Sequence, residues 1–227
     1  MGFCIAIDGP SGAGKSSLAK ELAKKLNFIH VDTGALYRAI ALYVINNNID
    51  MYNEEEVVRN CIDVDISLEY LNGVQQVFLN GVNVSNDIRT LEVSRAGSVT
   101  SAYKGIRDKL LLLQRKLALE NDVVMDGRDI GTHVLPDAQI KIFLTADIDM
   151  RAKRRRMEFL EKSINKSLEE VKADLVDRDF RDSHRKNNPL KKASDAVVLD
   201  STNLTIDEEI EIIIKLYEEV KNEKINK

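Results

Sequence analysis

The chain has 227 residues, of which 44% are hydrophobic and 31% charged, a balance typical of soluble globular proteins rather than disordered or fibrous ones. Its length accommodates one α/β domain with a small insertion, but not two full domains. The net charge of −4 argues against general nucleic-acid binding, and no apolar run reaches the roughly 20 residues of a membrane span. No secretion signal is evident, and Cys4 and Cys61 lie far apart, so we expect a cytoplasmic protein with buried, reduced thiols.

Short apolar runs alternate with helical patterns along most of the chain. Residues 3–8 predict a buried strand, and Leu18, Leu22 and Leu26, spaced by four, predict an amphipathic helix behind it. A second helix is predicted at residues 35–45, and further strands at 28–31, 123–125, 140–144 and 196–199. Buried strands separated by helices indicate an α/β protein with a five-stranded parallel sheet covered on both faces.

Residues 63–85 do not follow this alternation of strand and helix patterns. Apolar residues alternate there in three short runs, separated by Asn72-Gly73 and Asn80-Gly81. Asn-Gly pairs between alternating runs are typical of tight hairpin turns. We therefore predict a small three-stranded antiparallel subdomain, inserted at about residues 60–88 of one domain that spans residues 1–227.

The last helix is predicted from a capping pattern. Thr205 is followed three residues later by Glu208, the spacing of a capping box at a helix N-terminus. Apolar residues then recur at helical spacing, which predicts one buried face made of Ile206, Ile210, Ile213, Tyr217 and Val220.

Residues 9–16 match the pattern G-x-x-x-x-G-K-[ST] without departure, between a predicted strand and a predicted helix. In this P-loop motif the backbone N–H groups surround phosphates, the lysine bridges the β- and γ-phosphates, and the final hydroxyl ligates Mg²⁺. We therefore expect a P-loop NTPase-type fold, with Lys15 catalytic and Ser16 as a metal ligand. The residues expected to contact the triphosphate are Gly9, Pro10, Ser11, Gly12, Ala13, Gly14, Lys15, Ser16 and Ser17.

A second group of polar residues follows the second predicted strand. Thr33 and Gly34 open a helix at the carboxyl end of that strand, the edge where α/β proteins bind ligands. Arg38 lies one turn into the helix, within reach of an anion held there. Taken alone, a capped helix with a surface arginine explains these residues equally well.

A third group lies far along the chain. Arg178, Arg181, Asp182 and Arg185 recur at i, i+3, i+4 and i+7, which predicts one shared helical face. Spacing alone favours a solvated face on which Asp182 pairs with Arg178.

The segment from Asp32 to Arg38, Asp-Thr-Gly-Ala-Leu-Tyr-Arg, resembles bacterial cytidylate kinases when it follows such a P-loop. The similarity spans nearly the whole chain and continues in residues 126–132, 137–144, 151–155, 178–179 and 195–202. Bacterial cytidylate kinases also carry an antiparallel insertion in their monophosphate-binding region. The resemblance implies a Mg²⁺-dependent phosphotransferase that moves phosphate from ATP to CMP and dCMP, working as a monomer without nucleic-acid or membrane partners.

Carried over position by position, the resemblance implies two sets of binding residues. ATP is expected to contact Arg151, Arg154 and Arg155, at the start of a lid predicted at about residues 151–185. CMP or dCMP is expected to contact Thr33, Arg38, Ser98, Arg107, Arg128, Asp129, Arg178, Asp182 and Arg185, of which Arg128 and Arg178 are also expected to be catalytic.

Some assignments stay open at this point. Either Asp8 or Asp126 could orient Mg²⁺, and none of the three histidines is expected to be catalytic. A kinase for UMP, AMP or shikimate is an alternative, although the antiparallel insertion argues against the nucleoside monophosphate kinases that have only a short insertion. A nucleotide-switched regulatory protein would share the P-loop, but the sequence lacks an Asn-Lys-x-Asp guanine-binding motif.

Overall fold

The computed structural model describes residues 2–225, and side chains up to residue 223. Within this range the strands are β1 (Cys4–Asp8), β2 (Ile29–Asp32), β3 (Ile66–Leu71), β4 (Val74–Leu79), β5 (Val82–Asn83), β6 (Val123–Gly127), β7 (Ile140–Thr145) and β8 (Val197–Asp200). The α-helices are α1 (Lys15–Leu26), α2 (Thr33–Asn46), α3 (Glu54–Cys61), α4 (Leu91–Thr100), α5 (Lys104–Glu120), α6 (Ile148–Glu161), α7 (Leu168–His184) and α8 (Ile206–Ile225), and shorter turns of helix lie at Asp87–Arg89 and Ile130–Val134.

Five strands form one parallel sheet in the order β2-β6-β1-β7-β8, which confirms the predicted α/β fold. The central strand β1 is buried on both faces because helices cover both sides of the sheet. On one side Ile5 and Ile7 pack with α1 and α8, and on the other Cys4 and Ala6 pack with α5. The carboxyl ends of β1, β2 and β6 meet at one edge, so the residues that follow them lie together.

The strands β3, β4 and β5 form a separate antiparallel sheet, as predicted. Its turns have positive φ at both central residues, 52° and 76° at Asn72-Gly73 and 49° and 79° at Asn80-Gly81. This backbone matches the twist of a hairpin and favours Asn-Gly. One face of the small sheet packs on α2, which places β4 beside β2 at the edge of the large sheet.

Two predicted helices differ from the structure in detail. The helix predicted at residues 35–45 begins at Thr33, because the Asp32 carboxylate accepts a hydrogen bond from the Ala35 N–H and caps it. The capping box of Thr205 and Glu208 is confirmed by their exchanged hydrogen bonds. The predicted apolar face of α8 is wrong for Ile206, which is exposed in the first turn. Both cysteines are buried thiols.

No helix among residues 2–225 is both long and apolar enough to cross a membrane.

The Glu209 side chain of α8 is buried, although it is an acidic group. Glu209 is only 3% exposed, and its Oε2 atom has no hydrogen-bond partner within the described part of the chain. Burial raises the pKa of Glu209 to about 7, although nearby Arg154 opposes the shift. The folded protein therefore holds a proton on Glu209 at pH values where the unfolded chain has lost it.

We predict that Glu209→Gln stabilises the protein at pH 8 but not at pH 4. Because the pKa rises from 4.5 to about 7 on folding, the parent protein loses stability as the pH rises between these values, and the neutral amide does not. Urea unfolding at both pH values measures the gain, expected to be about 1–3 kcal/mol at pH 8. Glu211→Gln, at an exposed position of α8, is the control. A gain for Glu209→Gln that is equal at both pH values would contradict the account.

Candidate active site

The loop between β1 and α1 is shaped to surround an anion. Gly9 has a φ of 152°, and a Cβ atom there would lie 2.0 Å from the Leu144 carbonyl oxygen, so only glycine fits. Gly14 has a left-handed conformation and immediately precedes α1. The first N–H groups of a helix lack partners within the helix, and its dipole is positive at that end. The loop and the start of α1 thus form a binding site for phosphate oxygens.

Lys15 is the first residue of α1, and its side chain reaches back into this loop. Its side chain is buried, and its Nζ donates a hydrogen bond of 2.7 Å to the carbonyl oxygen of Pro10. Burial lowers the pKa of Lys15 well below its usual value, and the nearby Arg128 lowers it further. The charges of Asp126 and Asp182 oppose this lowering, but within the described residues Lys15 forms no direct ion pair with a carboxylate, so an anionic ligand would supply a direct counter-charge.

The Asp126 carboxylate connects the loop to β2. Its Oδ2 atom accepts a hydrogen bond of 2.7 Å from the Ser16 hydroxyl, and its Oδ1 atom lies 2.7 Å from Nε2 of His30. Burial lowers the pKa of His30, but its hydrogen bond to Asp126 and the negative charges of Asp126 and Asp32 together outweigh burial, and the net shift of the pKa is upward. His30 therefore belongs to the site, which sequence spacing did not indicate.

Asp8 has a different environment. Its two oxygens accept hydrogen bonds of 2.7 Å each from the N–H groups of Ile130 and Gly131. Burial raises the pKa of Asp8 to about 6, although these hydrogen bonds oppose the shift. Of the two acids that the sequence left open, Asp126 contacts the P-loop hydroxyl, whereas Asp8 holds the turn at Ile130–Val134.

On the far side of the cleft, Asp32 binds two arginines. It pairs with Arg38 at 2.7 Å and with Arg89 at 3.7 Å. Burial raises the pKa of Asp32, but Arg38 and then Arg89 outweigh burial and bring it to about 2. The Nε atom of Arg38 is buried without a hydrogen-bond partner in the described chain. Thr33 lies beside this pair and donates to the backbone carbonyl of Asp126 at 2.8 Å.

Asp182 joins a second pair of arginines. Nε of Arg128 donates to Asp182 at 2.7 Å, and Nε of Arg178 lies 4.0 Å away. Burial and the neighbouring Arg128 lower the pKa of Arg178 to about 10. The Nε atom of Arg178 is also buried without a partner in the described chain. The single Asp182 carboxylate therefore neutralises only one of the two arginines, and the group of Asp182, Arg128 and Arg178 keeps a net positive charge.

Asp129 joins a third pair. It forms a buried ion pair with Arg107 and accepts a hydrogen bond of 3.0 Å from Arg185. Arg107 also donates to the Ser101 carbonyl oxygen at 3.1 Å. Nearby, the Ser98 hydroxyl is buried and has no partner in the described chain. This group offers both hydrogen-bond donors and an acceptor to a polar ligand.

The prediction that α7 presents four charged residues on one face is wrong for two of them. Arg181 is exposed and pairs with Asp177 at 3.1 Å, away from the cleft. Arg185 follows the end of α7 with extended dihedrals of −62° and 144°, and it reaches Asp129 from this loop position. A helical projection does not extend past His184, which is why the spacing misplaced Arg185.

The three arginines assigned to ATP lie around the P-loop. Arg151 donates to the Ser11 carbonyl oxygen at 3.0 Å, and Arg154 donates to the Ser201 hydroxyl at 2.9 Å, so both stand behind the loop. Arg155 lies 4.6 Å from the centre of the Phe159 ring and lines the cleft.

A single cleft of about 380 Å³ joins the P-loop to the three arginine groups. Its lining includes most of the residues predicted for the two ligands, and the predicted residues outside it are Gly9, Pro10, Ala13, Ser98, Arg151 and Arg154. Further residues line the cleft that were not predicted as ligand contacts, namely Asp32, Tyr37, Arg89, Ser94, Gly97, Ser101, Glu158 and Lys162. Ser94, Gly97 and Ser101 recur at i, i+3 and i+7, which puts three small residues on one face of a helix. This spacing was the one sequence pattern that could have indicated that they line the cleft.

A parallel sheet with a P-loop facing an arginine-lined cleft defines a P-loop kinase. Two solved structures resemble the fold. One is a gluconokinase from Sinorhizobium meliloti 1021, with a TM-score of 0.51, 13% identity, and coverage of 99% of this chain and 97% of that one. The other is an uncharacterized protein from Eubacterium ventriosum ATCC 27560, with a TM-score of 0.53, 14% identity, and coverage of 94% and 96%. These likenesses concern the fold alone.

The chain belongs to the cytidylate kinase family, whose model matches residues 5–219. It is 49% identical to the cytidylate kinase of Lactobacillus johnsonii, over 98% of this chain and 95% of that protein. It is 47% identical to the cytidylate kinase of Caldicellulosiruptor saccharolyticus, over 95% of this chain and 96% of that protein. The family resemblance found in the sequence is confirmed.

We predict that Asp129→Asn destabilises the protein by about 3 kcal/mol, because it leaves two buried arginines without their carboxylate. Asp177→Asn is the matched control, since it removes an exposed aspartate–arginine pair, and it is expected to change stability by less than about 1 kcal/mol. Urea unfolding measures both variants. Equal losses in the two variants would show that Asp129 does not compensate a buried charge.

Proposed function

We propose that the protein transfers the γ-phosphate of ATP to CMP and dCMP, forming CDP and dCDP. The observation that carries this proposal is the cleft, in which a P-loop faces three groups of arginines that share too few carboxylates. The relatives named above are cytidylate kinases, which supports the same acceptor.

The acceptor phosphate is assigned to Arg38, Arg128 and Arg178. Guanidinium groups bind phosphate through planar pairs of hydrogen bonds and stay charged when partly buried. Two of the three, Arg38 and Arg178, have a buried Nε donor without a partner in the described chain. An ordered phosphate would supply acceptors for these cations without a large rearrangement.

The cytosine base is assigned to the group around Asp129. The carboxylate can accept a hydrogen bond from the 4-amino group, and Arg107, Arg185 and Ser98 supply donors. Uracil presents a carbonyl oxygen at that position, which would face the carboxylate and leave buried groups unpaired. Asp182 is assigned to a sugar hydroxyl, and Thr33 also lies on the acceptor side.

Phosphoryl transfer to a phosphate acceptor needs no general base, because the attacking oxygen is already anionic at neutral pH. Catalysis then depends on alignment and on the stabilisation of charge in the transition state. In this proposal Lys15 would neutralise charge on the β- and γ-phosphates, while Arg128 and Arg178 would hold the acceptor in line, which their contacts in the cleft support. Both roles use cations that are already oriented by the fold.

The residues near the P-loop fit a bound Mg²⁺. This ion prefers oxygen ligands and usually takes only one or two from the protein, the others coming from water and substrate phosphates. The Ser16 hydroxyl and the Asp126 carboxylate offer such oxygens side by side, and the described residues hold no cluster of three metal-binding side chains. We assign Ser16 as the ligand and Asp126, rather than Asp8, as the acid that orients the ion. When bound, Mg²⁺ neutralises phosphate charge.

We further propose that one domain carries both moving parts of this kinase. The insertion at about residues 60–88 would hold the monophosphate, since β4 packs beside β2 and α2. The segment at about residues 151–185 would act as the lid over ATP, with Arg155 on the cleft and Arg151 and Arg154 supporting the loop. Closure of both parts would exclude water, which otherwise attacks ATP. We propose that the protein works as a cytoplasmic monomer.

A panel of acceptors tests the proposed function. With ATP and Mg²⁺, we expect CMP and dCMP to give kcat/KM values at least about 100-fold above those of UMP, AMP, GMP and shikimate. Comparable or higher values for one of the other acceptors would overturn the assignment. Lys15→Ala is expected to lower kcat by at least about 100-fold with an unchanged circular dichroism spectrum. Lys20→Ala, at an exposed position on the same helix, is the control and should retain activity.

His30 provides a separate test of the proposed metal site. His30→Leu removes the hydrogen bond to Asp126, and we expect the Mg²⁺ concentration at half-maximal activity to rise about tenfold. Calorimetric titration of Mg²⁺ into the complex with ADP is expected to show the same loss without turnover. His184→Leu, at an exposed position, should leave both values unchanged. An unaltered Mg²⁺ response in His30→Leu would exclude a role for His30 at this site.

A further inference from the structure

The strand β2 lies at the edge of the five-stranded sheet and pairs only with β6 among the described strands. In a parallel strand the N–H and C=O of one residue point to the same side, and successive residues alternate. Ile29 donates its N–H towards β6, to Asp122, so His30 and Asp32 present their backbone groups to the open edge. Buried backbone groups of this kind require partners.

Two side chains of the small antiparallel sheet supply those partners. Tyr70 and Gln75 face each other across β3 and β4. The Gln75 amide accepts a hydrogen bond from the Asp32 N–H at 2.9 Å and donates one to the Asp32 carbonyl at 3.3 Å. The Tyr70 hydroxyl donates to the His30 carbonyl at 3.0 Å. Gln75 therefore makes with Asp32 the paired contacts that a neighbouring strand would make.

The residue held in this way is central to the acceptor side of the cleft. The Asp32 carboxylate caps α2 through the Ala35 N–H and forms the 2.7 Å pair with Arg38. Both contacts depend on the direction in which the Asp32 side chain leaves its backbone. Any rotation of that peptide would move the carboxylate, and with it the guanidinium of Arg38.

We infer that Gln75 is a positioning residue for the acceptor phosphate: its amide fixes the Asp32 backbone and thereby orients Arg38. The inference rests on the proposed transfer to CMP. It gives the inserted sheet a part in the reaction that involves no contact with the reacting atoms. It also explains why a polar side chain of β4 points at the edge of β2, where an apolar one would leave both backbone groups of Asp32 unpaired.

Steady-state kinetics of Gln75→Leu test this role. The KM for CMP is expected to rise about five- to tenfold, while the KM for ATP stays within about twofold, because the P-loop does not depend on Asp32. Gln76→Leu is the matched control, since Gln76 lies next to Gln75 in β4 and contacts Asn83 instead. It should leave both KM values unchanged. Gln75→Ala, which adds no apolar bulk, is measured in parallel in case the leucine disturbs folding.

Hydrogen exchange without nucleotides separates this inference from the proposed function. The Asp32 amide is expected to exchange faster in Gln75→Leu and Gln75→Ala than in the parent and in Gln76→Leu, whatever the true acceptor is. An unchanged exchange rate at Asp32, or KM values for CMP and ATP that rise equally, would overturn the inference. Faster exchange in a protein that does not phosphorylate CMP would support the contact and reject the proposed acceptor.

Discussion

Sharing of buried aspartates between arginines is the interaction on which the site depends. Each of three aspartates in the cleft is contacted by two arginines: Asp32 by Arg38 and Arg89, Asp182 by Arg128 and Arg178, and Asp129 by Arg107 and Arg185. Six guanidinium groups against three carboxylates leave an excess of positive charge that the fold holds in place. Such an excess is unfavourable in the empty cleft and is compensated when phosphates enter. Because the cations are already oriented, little reorganisation is left for the reaction itself.

The parallel sheet brings these groups together. Asp8, Asp32 and Asp126 lie at or near the carboxyl ends of three neighbouring strands, the edge where α/β folds bind ligands. All three are aspartates, but each carboxylate there makes different contacts because its neighbouring residues differ. Asp8 accepts backbone N–H groups, Asp32 caps α2 and holds Arg38, and Asp126 contacts Ser16 and His30.

The features that the sequence predicted correctly depend on local chemistry. The P-loop, the parallel strands and the Asn-Gly hairpins are specified by residues a few positions apart, so their patterns are visible without the fold. The contacts of His30 with Asp126 and of Gln75 with Asp32 were not predicted because these partners lie 96 and 43 positions away in the sequence and meet only in the tertiary structure. Arg185 was placed on α7 because periodicity does not show where a helix ends. Family resemblance supplied the remaining site residues, which spacing alone would have assigned to solvent.

The central claim is that ATP is consumed in order to phosphorylate CMP. The most direct measurement follows ADP and CDP together, in the presence and absence of CMP. The account predicts that CMP raises the rate of ADP formation by at least about 100-fold and that each ADP is matched by one CDP, because water is a poor acceptor in the closed cleft. Slow ADP formation that is unaffected by CMP, without CDP, would contradict the account and indicate a nucleotide-switched protein instead.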